Sequence, residues 1–160
     1  MKKLFLLASI LLISISSIAQ KTNNAVYLQI GGNGMLGSFN YERSLMKKIP
    51  LRAHVGIGIY GSREQNMTIP IGVNYLLKLG QKGNFIDVGL GCTYTKADVQ
   101  LYIIVDRRGN YINDHFFNFV PSISYRKQTP HKFLFKAGIT PIINQYGVIP
   151  FVGFTFGKLF

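Results

Sequence analysis

The sequence is poor in cysteine, in acid and in long apolar runs, and it has no tryptophan. One Cys in 160 residues excludes an intramolecular disulfide framework and a Cys-cluster zinc site. Asp and Glu number 6 against 18 Lys and Arg, a formal charge of +12. No paired carboxylates, metal-spaced His/Asp/Glu cluster or phosphate-binding glycine loop appear among so few acids and three His. The length allows one domain of ordinary size and excludes a multidomain enzyme. Hydrophobic residues make up 48% and charged residues 15%, which excludes a disordered basic tail. By charge alone the partner would be nucleic acid or an anionic membrane surface.

The first residues narrow that choice. Lys2 and Lys3 precede a mostly apolar run, Leu4 to Ile13, then a Ser-rich stretch ending Ser17-Ile18-Ala19-Gln20. A basic start, a short apolar core and a small residue before a cut make a secretory signal. The run falls short of the roughly 20 residues a helical span needs. Cleavage is expected after Ala19, giving a signal peptide over 1–19 and one domain over 20–160. The formal charge then falls from +12 to +10, since Lys2 and Lys3 leave. No Cys follows the cut, so no lipid anchor is expected there. Export demotes nucleic acid as a partner.

Beyond Gln20 the hydrophobic period is two, not 3.6. Eight segments alternate, among them Leu51 to Tyr60, Ile69 to Lys78, Ile86 to Tyr94 and Val152 to Phe160. Turn signals separate them, such as Gly31-Gly32-Asn33-Gly34, Gly80-Gln81-Lys82-Gly83-Asn84 and Asn144-Gln145-Tyr146-Gly147. The longest connection, Lys96 to Asp114, carries its own hairpin signal at Asp106-Arg107-Arg108-Gly109-Asn110. The fold class is therefore all-β and antiparallel.

Alternation leaves two architectures open, because a soluble sandwich turns its apolar face in and a membrane barrel turns it out. The non-apolar face carries Gly56, Gly58, Gly72, Gly89, Gly91, Gly138, Gly153 and Gly157. On a solvated face such glycines weaken strands for no gain. In the narrow interior of an eight-stranded barrel they make room for Arg52, His54, Tyr60 and Lys136. Tyr41, Tyr75, Tyr125 and Phe160 lie on the apolar face near the ends of the even-numbered strands. Alternating strand direction puts those ends at one level, as in an interfacial aromatic girdle. Leu51 to Gly61 and Pro150 to Phe160 match the span of about 9–11 residues a tilted membrane strand needs.

These residues resemble the small eight-stranded outer-membrane β-barrel proteins of Gram-negative bacteria, the OmpA/OmpX-type class. The matching pieces are Phe39-Asn40-Tyr41-Glu42-Arg43, Ile69-Pro70-Ile71-Gly72-Val73-Asn74-Tyr75 and the final run from Pro150 to Phe160. The resemblance implies an up-and-down transmembrane barrel in the cell envelope, with both termini in the periplasm. It implies that Phe160 is the terminal aromatic read by the outer-membrane insertion machinery. Lys158 departs from that signal, where an apolar residue is usual. A lipid-facing Lys costs about 0–1 kcal/mol near the interface, where the chain end belongs.

With that orientation, Lys21, Lys47, Lys48, Lys78, Lys82, Arg126, Lys127, Lys132 and Lys158 gather at the periplasmic rim, while the surface loops are nearly neutral. This rim is expected to meet anionic phospholipid headgroups or acidic cell-wall polymer. Glu42, Arg52, His54, Asp87, Arg126, Lys132 and Lys136 are expected to point inward and pair. Glu42 and Arg52, on adjacent strands, are the best-placed pair.

No catalytic, cofactor-binding or metal-binding residues are assigned, and the chain is not read as an enzyme. Some barrels of the resembled class are lipid A deacylases, with His and Ser two apart on one strand. Here His54 is followed by Val55-Gly56, His115 by Phe116-Phe117 and His131 by Lys132-Phe133. His54 is read instead as a hydrogen-bonding group of the lumen, and Cys92 as a small apolar residue. Eight strands imply a filled lumen and no channel. The expected role is structural or surface-interacting, with outer-membrane lipid and the insertion machinery as partners, no cofactor, no nucleic acid and a monomeric state. Tyr102, Ile103, Ile104 and Tyr111 make the loop 96–114 the best surface for a ligand. The competing reading is a soluble secreted or periplasmic β-barrel holding a lipid or other apolar ligand inside.

Overall fold

The computed structural model describes residues 23–46, 48–60, 66–80, 82–95, 116–144 and 147–160. The expected signal segment 1–19, the loop 96–114, and Lys21, Lys47 and His115 lie outside the described residues.

Among the described residues, ten strand segments follow in order. They are β1 (Asn24–Gly31), β2 (Gly37–Ser44), β3 (Leu51–Tyr60), β4 (Asn66–Lys78), β5 (Asn84–Thr95), β6 (Phe116–Gln128), β7 (Phe133–Ile139), β8 (Ile142–Asn144), β9 (Gly147–Ile149) and β10 (Val152–Leu159). They make eight barrel staves, because two staves are interrupted. The seventh stave breaks at Thr140-Pro141 between β7 and β8, and the eighth at Pro150-Phe151 between β9 and β10. Proline lacks the N–H a ladder needs. The Thr140 N–H still donates to the Phe151 carbonyl, at 2.8 Å, which carries the pair of staves across the break. Pro70 has the same effect within β4: the β3–β4 register skips Gly56 and Ile57 opposite it.

Each stave pairs antiparallel with its neighbours, and β1 pairs with β10 to close the wall. At the chain ends Asn24 N–H donates to the Phe160 carbonyl at 3.2 Å, and Phe160 N–H returns to the Asn24 carbonyl at 3.0 Å. A closed wall leaves no strand edge unpaired, which hydrocarbon would not tolerate. The fold is an eight-stranded antiparallel up-and-down barrel, as the resemblance implied.

The polarity of the wall is inverted relative to a soluble protein. Leu90 is 55% exposed, Ile57 62% and Phe117 69%, while Asn40, Glu42, Asp87, Asn118 and Arg126 are fully buried. Val55 and Phe135 face outward too. Gly89 and Gly91 face inward and are buried. A strand has period two, so this one choice of face fixes every side chain on a stave.

Two expectations need correction. Lys132 does not point inward. It takes a left-handed backbone (φ 65) in the turn before β7 and is exposed, so the parity of β7 starts after it. Arg126 does not join the basic rim with Lys127: it is buried in the lumen, and only Lys127 is exposed.

Candidate functional site: the lumen and its rims

The middle of the lumen holds a cluster of ionised groups. Glu42 on β2 receives Arg52 Nε at 2.5 Å, and Arg126 through Nη2 at 2.7 Å and Nη1 at 2.9 Å. Asp87 on β5 receives Arg126 Nη1 at 3.2 Å and Lys136 Nζ at 2.9 Å. Arg126, on the stave next to Asp87 and across the lumen from Glu42, thus bridges the two carboxylates. Two carboxylates meet three cations, and none of these side chains is more than 9% exposed. Burial at that depth penalises every unpaired charge, so the geometry has to be satisfied as a unit. The expected Glu42–Arg52 pair is present. The diagonal register explains it: Ser44 faces Arg52 and Glu42 faces His54.

Above the ions runs a relay of amides and imidazole. Asn74 Nδ2 donates to Asp87 Oδ1. His54 Nδ1 sits 2.8 Å from Asn74 Oδ1, and His54 Nε2 sits 3.0 Å from Asn33 Nδ2. Both ring nitrogens are therefore engaged by amides, with Nδ1 donating and Nε2 accepting. His54 is the lumen hydrogen-bonding group that the residue spacing suggested.

Asn33 is the residue that pattern reading missed. The segment Gly31-Gly32-Asn33-Gly34 is not a plain turn. It forms a short 3-10 helix, Gly32–Gly34, that dips into the barrel mouth and is buried. Gly31 and Gly32 both hold left-handed backbones (φ 72 and 70), which free the chain to turn inward. Asn33 Nδ2 also donates to the Ile71 carbonyl at 3.1 Å, and Thr93 Oγ1 lies 2.5 Å from the Asn33 side-chain oxygen. Gly91 makes the space, since a Cβ there would stand 2.6 Å from Asn33 Nδ2. The available signal was four consecutive turn formers, three of them Gly, where a tight hairpin needs two.

An apolar cluster packs at each end. Met35, Val120, Ile142 and Ile149 pack at the loop end, and Ala25, Tyr27, Leu134 and Leu159 at the turn end. No group of three or more His, Cys, Asp or Glu that could hold a metal occurs among the described residues. Cys92 is a free thiol on the outer face, in register with Ile71 and Phe119.

The outside is banded. Tyr41, Tyr75 and Tyr125 are exposed, and each stands three residues before the end of its strand. Tyr41 OH donates to Asn24 Oδ1 at 3.0 Å and Tyr125 OH to Asn84 Oδ1 at 2.8 Å. Tyr41 and Phe160 lie with ring centroids 6.4 Å apart. Toward the loops, Tyr94 and Phe117 pair at 5.4 Å. An amphipathic ring with its hydroxyl toward the rim suits a membrane interface. Arg43 and Lys127, two residues past Tyr41 and Tyr125, and Lys158, two residues before Phe160, are exposed.

No family model matches the sequence, and no curated protein sequence matches it significantly. Solved structures do match in shape. The N-terminal β-barrel domain of Pseudomonas aeruginosa OprF superposes with a TM-score of 0.66 at 11% identity, covering 88% of this chain and 98% of that one. The Yersinia pestis outer membrane protein Ail superposes with a TM-score of 0.55 at 7% identity, covering 88% of this chain and 100% of that one. Closed topology, inverted polarity and these two likenesses agree: the chain has the fold of the eight-stranded outer-membrane β-barrels.

Proposed function

We propose that the chain is an integral outer-membrane barrel, occluded to ion flow, with a structural or surface-interaction role and no catalytic site. The observation that carries the reading is the band of outward Leu, Ile, Val and Phe around a buried ionic centre. A water-facing wall of this composition would be an aggregation surface; in hydrocarbon it is the ordinary lipid face. The soluble lipid-binder needs the opposite polarity.

Occlusion is supported by the contents of the lumen. The void between Asn33, His54, Asn74 and Lys136 measures ≈20 Å³, room for about one water. The absence of catalysis is supported by His54, whose two ring nitrogens are occupied by Asn33 and Asn74, leaving neither to activate a nucleophile. A surface ligand, if carried, belongs to the loop 96–114 and its apolar Tyr102, Ile103, Ile104 and Tyr111.

Cell fractionation tests the localisation. The mature chain is expected in the outer-membrane fraction, migrating faster on gels unheated than boiled, and in planar bilayers it is expected to show no steady ion conductance. A soluble periplasmic pool with no heat-dependent shift would refute the integral barrel. A stable open conductance would refute occlusion.

A further inference from the structure

The outer wall is not uniform. Across β6, β7 and β10, and on past Phe154 to Leu28 and Ile30 of β1, runs a groove of ≈510 Å³ in which Ala137 is the smallest apolar side chain and forms the floor. Ala137 is in register with Tyr125 on one side and Phe154 on the other. Two strand spacings separate those flanks, roughly 9–10 Å between backbones. Phe135 and Phe156, edge to face at 5.1 Å, wall the end toward the turns. The lining is almost wholly apolar and opens outward, so the slot suits an extended hydrocarbon chain.

At its turn end the groove meets cations. Lys127 is in register with Phe135, and Lys158 with Phe133, placing each Lys beside the aromatic wall at cross-strand distance, roughly 5 Å between Cβ atoms. Lys132 stands in the turn just before β7. All three are exposed. The only Asp and Glu among the described residues, Glu42 and Asp87, are buried in the lumen, so no described acidic side chain competes for these lysines.

We propose that this sector of β6, β7 and β10 is a binding site for one anionic glycerophospholipid, an acyl chain lying over Ala137 and the phosphate held between Lys127 and Lys158. The site rests on the membrane-embedded reading. It adds to that reading a fixed place and a headgroup preference, where an ordinary lipid face has neither. Electrostatic attraction near the surface selects an anionic over a zwitterionic headgroup, and the slot between Tyr125 and Phe154 fixes the chain.

The test uses native mass spectrometry of the folded barrel in detergent, offered equimolar phosphatidylglycerol and phosphatidylethanolamine with the same acyl chains. One retained phosphatidylglycerol per barrel is expected. The double variant Lys127→Gln/Lys158→Gln should cut its preference over phosphatidylethanolamine by about 30-fold. Ala137→Phe, which fills the floor, should cut retention of both lipids by about tenfold, and the heat-dependent gel shift should persist in every variant. Equal retention of the two lipids by the unaltered chain would overturn the proposal. So would unchanged retention in Ala137→Phe. Failure of the integral-barrel reading looks different: no heat-shifted band and a chain soluble without detergent.

Discussion

Replacing Glu42 by Gln will destabilise the barrel by about 3–5 kcal/mol, the largest effect expected of any isosteric change in this chain. The reason is charge count. The cluster holds Glu42 and Asp87 against Arg52, Arg126 and Lys136. Removing Glu42 leaves one carboxylate for three buried cations, and Arg126 loses contacts at 2.7 and 2.9 Å. Removing a cation acts in the other direction. Arg52→Gln leaves two carboxylates facing two cations, so its cost should be smaller, about 1–2 kcal/mol. Adding Arg126→Met to Glu42→Gln should recover part of the loss, because the orphaned cation goes too. Denaturant unfolding in lipid vesicles, followed by the gel shift, reads all of these. Equal costs for Glu42→Gln and Arg52→Gln would show that the cluster is not governed by its charge balance.

Leu90→Arg should cost about 2–4 kcal/mol in a bilayer. Leu90 is 55% exposed, pairs with Val73 and Pro121, and lies on β5 between the outward Tyr94 and Val88. In water, Arg at an exposed site is close to neutral, within about 0.5 kcal/mol. The same substitution therefore separates a lipid-facing wall from a solvated one. Lys158 is the natural comparison, an outward cation already tolerated at the rim beside Phe133. Lys158→Leu should change stability by about 0–1 kcal/mol. If Leu90→Arg were as mild, the apolar band would not lie in hydrocarbon.

Much of this was legible from alternation read together with the glycines and the tyrosines. Period two set the staves, and the glycines opposite Val55, Leu90 and Ala137 set which face is inside. The girdle was readable because Tyr41, Tyr75 and Tyr125 recur at one strand end. Glu42 and Arg52 were readable as a pair because a short turn holds β2 and β3 together. What escaped the pattern was what binary patterning cannot encode. Leu134 and Leu159 are apolar yet buried inside the turn end with Tyr27, so polarity alone misassigns them. Arg126 reaches across the lumen to β2, a contact between residues 84 apart in sequence that no local rule anticipates. The inward dip of Gly32–Gly34 depends on left-handed backbones and on the space beside Gly91, both tertiary facts. Lys132 escaped because one left-handed residue resets the parity of the strand that follows.

Cys92, the sequence's one cysteine, offers the most direct test of the inverted wall. It faces outward between Ile71 and Phe119, so a nitroxide attached to the unfolded chain reports on that face after refolding into phospholipid vesicles. The label is expected to collide freely with dissolved oxygen and scarcely with a water-soluble nickel chelate. Ready relaxation by the chelate, with little by oxygen, would mean that the apolar face meets water, and the membrane barrel would have to be abandoned.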